Sequence, residues 1–176
     1  MSNYREIVTK AVIGKAKKTS NNSYSFEPEE IPNTVLGCWV INNTFNGSNN
    51  NGVVLINGSF DVNVWYSYDG DTKTAVSTRK FNYTDRMNVP LKTNSIVDNN
   101  SEIIINSLKQ PTVTNVTVNN GKIDLTIEKE MGVEIVGNTK VKIIAEDFDD
   151  DYEEIIDDEI INEVDDIKEE YLEDNK

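Results

Sequence analysis

The stretch Ser59-Phe60-Asp61-Val62-Asn63-Val64-Trp65-Tyr66-Ser67-Tyr68 decides the fold class of this chain. Phe60, Val62, Val64, Tyr66 and Tyr68 alternate strictly with Ser59, Asp61, Asn63, Trp65 and Ser67. A period of two places the first set on one face of a sheet and the second on the other. Trp65 therefore stands on the face opposite Val64 and Tyr66. An exposed indole on a sheet suits either a contact between subunits or a platform for a sugar ring. The plainer alternative is a second packed layer, as in a sandwich with both faces covered. On this reading Trp65, Tyr66 and Tyr68 are the candidate self-association residues.

Outward from this stretch the pattern repeats. Val53 to Ile56 is compact and β-branched, and Asn57-Gly58 after it is either a tight hairpin turn or a bulge within one long strand. Asp69-Gly70 is the stronger hairpin signal and returns the chain into Thr72 to Tyr83. Val113 to Val118 runs into Asn119-Asn120-Gly121, after which Ile123, Leu125 and Ile127 alternate with Asp124, Thr126 and Glu128. Val133 to Val136, a turn at Gly137-Asn138, and Lys140 to Ile144 complete this half. Val35 to Ile41 and Glu102 to Ile105 are further strands, and Asn46 to Gly52 reads as an Asn/Gly/Ser loop. At the N-terminus Tyr4, Ile7, Val8, Ala11 and Val12 have helical spacing. Ile7, Thr9, Ala11 and Ile13 would equally line a strand, and a strand after Lys10 is the reading preferred. Strands at this spacing, with turn residues between them, predict a mostly β body over residues 1–145, an antiparallel β-sandwich or barrel-like fold.

Residues 146–176 differ in kind. The body carries 15 Lys and Arg against 14 Asp and Glu, a net of +1, while the tail carries 2 Lys against 17 acids, a net of −15; together they make the −14 of the whole chain. In the tail Tyr152, Ile156, Ile160, Val164, Ile167 and Tyr171 recur at spacings that put them on one stripe of a helix. Acidic groups cover the rest, and like charges three or four residues apart repel. Such a helix is marginal alone and firmer when its stripe is covered, by its own body or by another protein. This predicts a tail that is disordered or an amphipathic helix, with the stripe as its partner-binding face. The basic opening, with Arg5, Lys10, Lys15, Lys17 and Lys18 against Glu6, is a possible electrostatic counterpart, within one chain or between chains. Simple solubility is the competing explanation of the tail.

Composition removes several kinds of chemistry. Histidine is absent, so Ser–His–Asp and Cys–His catalysis are excluded, as are zinc sites that need imidazole. Cys38 is the single cysteine, so no internal disulfide exists, and its neighbours Leu36, Trp39 and Val40 suggest a small buried hydrophobe. Trp39, within the same apolar run, reads as core. Asp147, Asp149 and Asp151 have the spacing of the first ligands of a calcium loop, but Tyr152 stands where the glycine is required. Asp69-Gly70-Asp71 is a turn before it is a ligand cluster. No phosphate-cradling loop, nucleophile elbow or CxxC is present. A glycosidase-like reading would need two body carboxylates in one cleft, for which Asp61 and Asp85 are available. The expectation is a non-enzymatic protein with no cofactor and no metal. The tail would repel nucleic-acid phosphates, and no apolar run is long enough to span a bilayer. The opening residues also lack a secretory leader, so the chain is expected to stay where it is made.

Several blocks, taken in order, resemble one family. Tyr4-Arg5-Glu6-Ile7-Val8-Thr9-Lys10-Ala11-Val12, then Leu36-Gly37-Cys38-Trp39-Val40-Ile41-Asn42, then Phe60 to Tyr68 followed by Thr72-Lys73-Thr74, are similar to the outer spore coat morphogenetic proteins of the CotE family. So are Gln110-Pro111 and Val136-Gly137-Asn138-Thr139-Lys140-Val141, and both close on an acidic tail. The likeness is weak from Tyr83 to Ser107, and in the tail it extends only to acidic character. It implies a structural scaffold of the bacterial endospore outer coat. Such a protein is made in the mother-cell cytoplasm, gathers around the forespore, self-associates as a homo-oligomer and recruits other spore coat proteins. It has no catalytic residues to carry over. A carbohydrate-binding β-sandwich module is the alternative that the residues themselves leave standing.

Overall fold

The computed structural model describes residues 4–92, 95 and 97–145. The tail stripe Tyr152, Ile156, Ile160, Val164, Ile167 and Tyr171, and the Asp147, Asp149 and Asp151 spacing, lie outside the described residues. The chain divides into two compact units, Arg5–Ile143 and a second made of Met1–Tyr4 with Ile144–Lys176. Of the second, Tyr4, Ile144 and Ala145 are described, the first two as the outer ends of strands.

The body is built from six long strands: β1 (Tyr4–Phe26), β2 (Pro32–Asn50), β3 (Val53–Tyr68), β4 (Lys73–Asn88), β5 (Glu102–Asn119) and β6 (Lys122–Ile144). They form two three-stranded sheets, ordered β1-β6-β5 and β2-β3-β4. β2 with β3, β3 with β4 and β5 with β6 are antiparallel. So is β1 with β6: Lys15 meets Glu134, Thr19 meets Glu130 and Ser25 meets Asp124, partners that retreat along β6 as β1 advances. The mostly β sandwich follows from the period-two reading. The sheets do not close into a barrel, so β1, β5, β2 and β4 are all edges.

The core lies between the two central strands. β3 contributes Val54, Ile56, Phe60, Val62, Val64 and Tyr66, and β6 contributes Ile123, Leu125, Ile127, Met131, Val133 and Ile135, all essentially out of solvent. Each such side chain contributes about 1.5–3 kcal/mol by leaving water. Tyr24, Phe60, Phe81 and Tyr83 form a chain of rings through this layer, with Tyr24 and Phe60 edge to face at 5.7 Å.

Three turns have the chemistry their sequences promise. Asn51-Gly52 and Asn120-Gly121 are two-residue hairpin loops with positive φ at all four residues, the mirror-image geometry that suits the twist of the flanking strands. Asp69, Gly70 and Asp71 also have positive φ. This turn is tied to the start of β2, because Asn33 Oδ1 accepts the Gly70 N–H at 3.0 Å and the Asp71 carboxylate accepts the Thr34 hydroxyl at 3.1 Å.

Elsewhere the structure corrects the sequence reading. Asn57-Gly58 and Gly137-Asn138 are neither turns nor bulges; β3 and β6 run straight through them. A Cβ on Gly58 would sit 2.3 Å from Tyr83 Cζ, and one on Gly137 would sit 2.7 Å from Ile13 Cδ1. These glycines make room for inward side chains. The stretch read as a loop at Asn46 to Gly52 is mostly strand, since β2 continues to Asn50. The N-terminal strand begins at Tyr4, well before Lys10. The irregularity sought in β3 lies in its neighbour: the β2 register shifts between Ile41 and Thr44, where Asn42 has a φ of 56°.

Candidate interaction surfaces

The two sheets present unlike outer faces. On the β1-β6-β5 sheet, acidic residues of β6 meet partners on both sides. Lys15 pairs with Glu134 at 3.0 Å and Lys109 with Glu128 at 2.8 Å. The Thr19 hydroxyl donates to Glu130 at 2.8 Å, and Lys10 reaches Glu102 at 2.8 Å. That pair raises the pKa of the Lys10 ammonium and lowers that of the Glu102 carboxyl, chiefly through their mutual hydrogen bond. It is the charge-laced surface of a sheet that faces water.

The β2-β3-β4 sheet carries the chain's two tryptophans on its outer face. Gly37 of β2 pairs with Trp65 of β3, and Trp39 pairs with Asn63. A Cβ on Gly37 would lie 3.5 Å from Trp39 Cζ3 and 3.8 Å from Trp65 Cε3, so both indoles reach into the space that glycine leaves. Each tryptophan is 43% exposed. Ile41 on β2 and Val76, opposite Trp65 on β4, extend the apolar surface. This corrects the reading of Trp39 as core: the pleat that turns Cys38 and Val40 inward turns Trp39 out.

The three self-association candidates separate. Trp65 is exposed, whereas Tyr66 is wholly buried and its hydroxyl accepts the Glu30 N–H at 3.2 Å. Tyr68 is half-buried and packs against the core. Trp39, which the sequence reading placed inside, takes the position beside Trp65 that the tyrosines leave. Cys38 is half-buried rather than fully enclosed, and burial pushes its thiol up to about 11.

The carboxylates considered for catalysis do not converge. Asp61 stands on the outer face of β3 and accepts from Asn42 Nδ2 at 2.9 Å. Asp85 points inward from β4 and is buried against Lys129 of β6. Lys129 also donates to Ser20 of β1 at 2.8 Å and lies 4.3 Å from the Tyr83 ring centre. Tyr83 in turn donates to Asn43 of β2 at 3.0 Å. This buried polar network joins β1 and β6 of one sheet to β2 and β4 of the other, and the sequence reading missed it. The signal was present, because Lys129 continues the inward series Ile123, Leu125, Ile127. Burial, with the Asp85 charge adding to it, pushes the Tyr83 hydroxyl up to about 12.

A concavity of about 800 Å³ is an open trough lined by Glu6, Val8, Asp98, Asn138, Lys140 and Lys142 among others. No group of three or more potential metal ligands occurs among the described residues. No helix among them is long and apolar enough to cross a membrane. Compared with known proteins, residues 3–174 match the family model for outer spore coat protein E (CotE). No curated protein and no solved structure matches the chain.

Proposed function

The chain belongs to the outer spore coat protein E family, and on that premise we propose that its β-body associates with copies of itself while residues 146–176 recruit other coat proteins. Family membership makes it a spore coat protein, in a family known for structural rather than enzymatic roles. The finer roles rest on one observation: the two outer faces differ. One is laced with ion pairs between its own strands, with Ile104 and Leu108 of β5 exposed on it singly, and the other exposes two adjoining indoles. Tryptophan is among the strongest anchors of protein interfaces, and contiguous apolar surface on a soluble protein marks a contact. The tail adds a net charge of −15 and the stripe Tyr152 to Tyr171 as a means of holding partners. Assembly begins in the mother-cell cytoplasm and ends in a layer around the forespore. No cofactor, nucleic acid or bilayer insertion enters this reading.

Two measurements test it. Light scattering at high micromolar concentration should give masses above the monomer for the full chain and for residues 1–145. A fluorescent fusion should form a shell around the forespore during sporulation, and a diffuse signal would defeat the coat reading.

A second reading has its own support. Trp39 and Trp65 side by side on an open sheet face form a platform of the kind that stacks on sugar rings. Retention on peptidoglycan or another insoluble polysaccharide, lost in Trp65→Ala, is the result that would favour a carbohydrate-binding module.

A further inference from the structure

Four edge strands could join a neighbouring copy, and they are not equivalent. The flank where β1 and β4 lie is sealed. The Lys92 N–H donates to the Ile13 carbonyl at 2.7 Å, Gly14 bridges to Leu91, and Lys18 Nζ donates to the Arg86 carbonyl at 3.4 Å. The Arg79 guanidinium takes the Glu27 carbonyl at 3.0 Å. Those edges are also heavily charged. β1 holds Arg5, Glu6, Lys10, Lys15, Lys17 and Lys18, and β4 holds Lys73, Arg79, Lys80, Asp85 and Arg86. Charges on an edge strand, lysine above all, discourage strand-to-strand pairing.

The opposite flank holds β2 and β5, which also touch: Asn43 Nδ2 of β2 donates to Gln110 Oε1 of β5 at 3.2 Å, and Ile105 of β5 fills the space beside Gly47 of β2. No strand pairing joins the two among the described residues. β5 has Glu102 and Lys109, is interrupted by Pro111 and, like β2, shifts register in three places. β2 has no charged residue in all 19 positions. Among the described residues β2 pairs with β3 alone, and no other hydrogen bond reaches its backbone between Leu36 and Ser48. Between the register shifts at Val35/Gly37 and Ile41/Thr44 it has a regular segment, Gly37-Cys38-Trp39-Val40-Ile41. That segment is aromatic and β-branched, the composition that fits a sheet.

We propose that β2 pairs antiparallel with β2 of a second copy, about a two-fold axis near Trp39, joining two three-stranded sheets into one of six. The inference rests on the self-association reading above and specifies its contact. A two-fold contact sets a surface against itself, so any charge near the axis meets its own copy. Like charges directly opposite on paired strands are destabilising. Of the four edges, β2 alone has no charge to oppose itself. The two-fold also brings the Trp39–Trp65 patch of one copy beside that of the other, on one continuous sheet face.

Charge exchange at Trp39 tests this on the full chain, with mass measured by light scattering in about 0.15 M salt, where only short-range charge contacts persist. Trp39→Lys and Trp39→Glu should each weaken association by about tenfold or more, because each sets like charges face to face. An equimolar mixture of the two should restore it, since Lys then opposes Glu. Restoration also shows that both variants fold. Thr78→Lys, on the same outer face but on β4 and outside the apolar patch, should associate as the unaltered chain does. Undiminished association of Trp39→Lys, a mixture no tighter than its components, or equal loss in Thr78→Lys would each overturn β2 pairing while self-association itself stood. A monomeric unaltered chain would overturn the self-association reading as well.

Discussion

Lys129 follows Ile123, Leu125 and Ile127 in the same period of two, and the pleat carries its ammonium into the core with them. There it meets the Asp85 carboxylate, the Ser20 hydroxyl and the face of Tyr83. A buried ion pair is weak evidence of net stability, but removing one partner strands the other charge. Lys129→Met should therefore cost about 3–5 kcal/mol in urea unfolding. Lys129→Met with Asp85→Leu should recover most of that, because no buried charge then lacks a partner. Equal losses in the single and double variants would show that shape, not charge, holds the site. Glu29 gives a smaller effect with a pH signature. The Arg79 guanidinium, 2.7 Å away, holds its carboxyl at about 2, well below the usual range near 4.5. A depressed carboxyl pKa contributes stability above its unfolded value and loses it as pH falls through the folded one. Glu29→Gln should accordingly be less stable than the unaltered chain at pH 7. The gap should close between about pH 4.5 and pH 2, and should not exceed about 1 kcal/mol, because the pair is largely solvated.

Glycine at the scale of the strand explains where the sequence misled. Asn-Gly is the strongest short hairpin signal, and Asn51-Gly52 and Asn120-Gly121 obey it. Asn57-Gly58 has the same dipeptide and no turn. Its glycine is the slot for the Tyr83 ring, whose Cζ would lie 2.3 Å from an added Cβ, with the Thr44 carbonyl 2.8 Å away. A dipeptide carries no record of which ring crosses it from the next strand. Gly58→Ala should destabilise by about 1–3 kcal/mol through overpacking, measurable as a lower unfolding midpoint. Pairing it with Tyr83→Leu should lessen the loss, whereas an unchanged loss would place the strain in the backbone. The same limit explains Trp39. Its period-two position was legible, but in an edge strand with shifted registers the inner face cannot be counted from one end; β2 changes parity at Asn42 and Asn43. By contrast β3 pairs with β4 without interruption over 16 positions, and the alternation from Phe60 to Tyr66 could be read directly. Lys129 was legible by the same count, against the tendency of lysine to lie outside.

Across the whole molecule the charge is divided, with a net of +1 on residues 1–145 and −15 on residues 146–176. The body has its own core, so it can be studied without the tail. If copies meet through neutral β2 edges, the contact itself is nearly indifferent to salt. Each added copy nevertheless brings a further tail of net charge −15 to the assembly, and the mutual repulsion of the tails opposes growth. Screening lengths shorten from about 30 Å at 0.01 M salt to about 3 Å at 1 M, so salt relieves that repulsion. Association of the full chain should therefore strengthen with added salt, while that of residues 1–145 should change little and exceed the full chain's at low salt. Light scattering or sedimentation at several salt concentrations gives both trends. The opposite slope, weaker association of the full chain as salt rises, would mean that tails bind the basic residues of β1 in neighbouring copies. In that case attraction between opposite charges, rather than strand pairing, would drive assembly, and the acidic tail would be its engine instead of its brake.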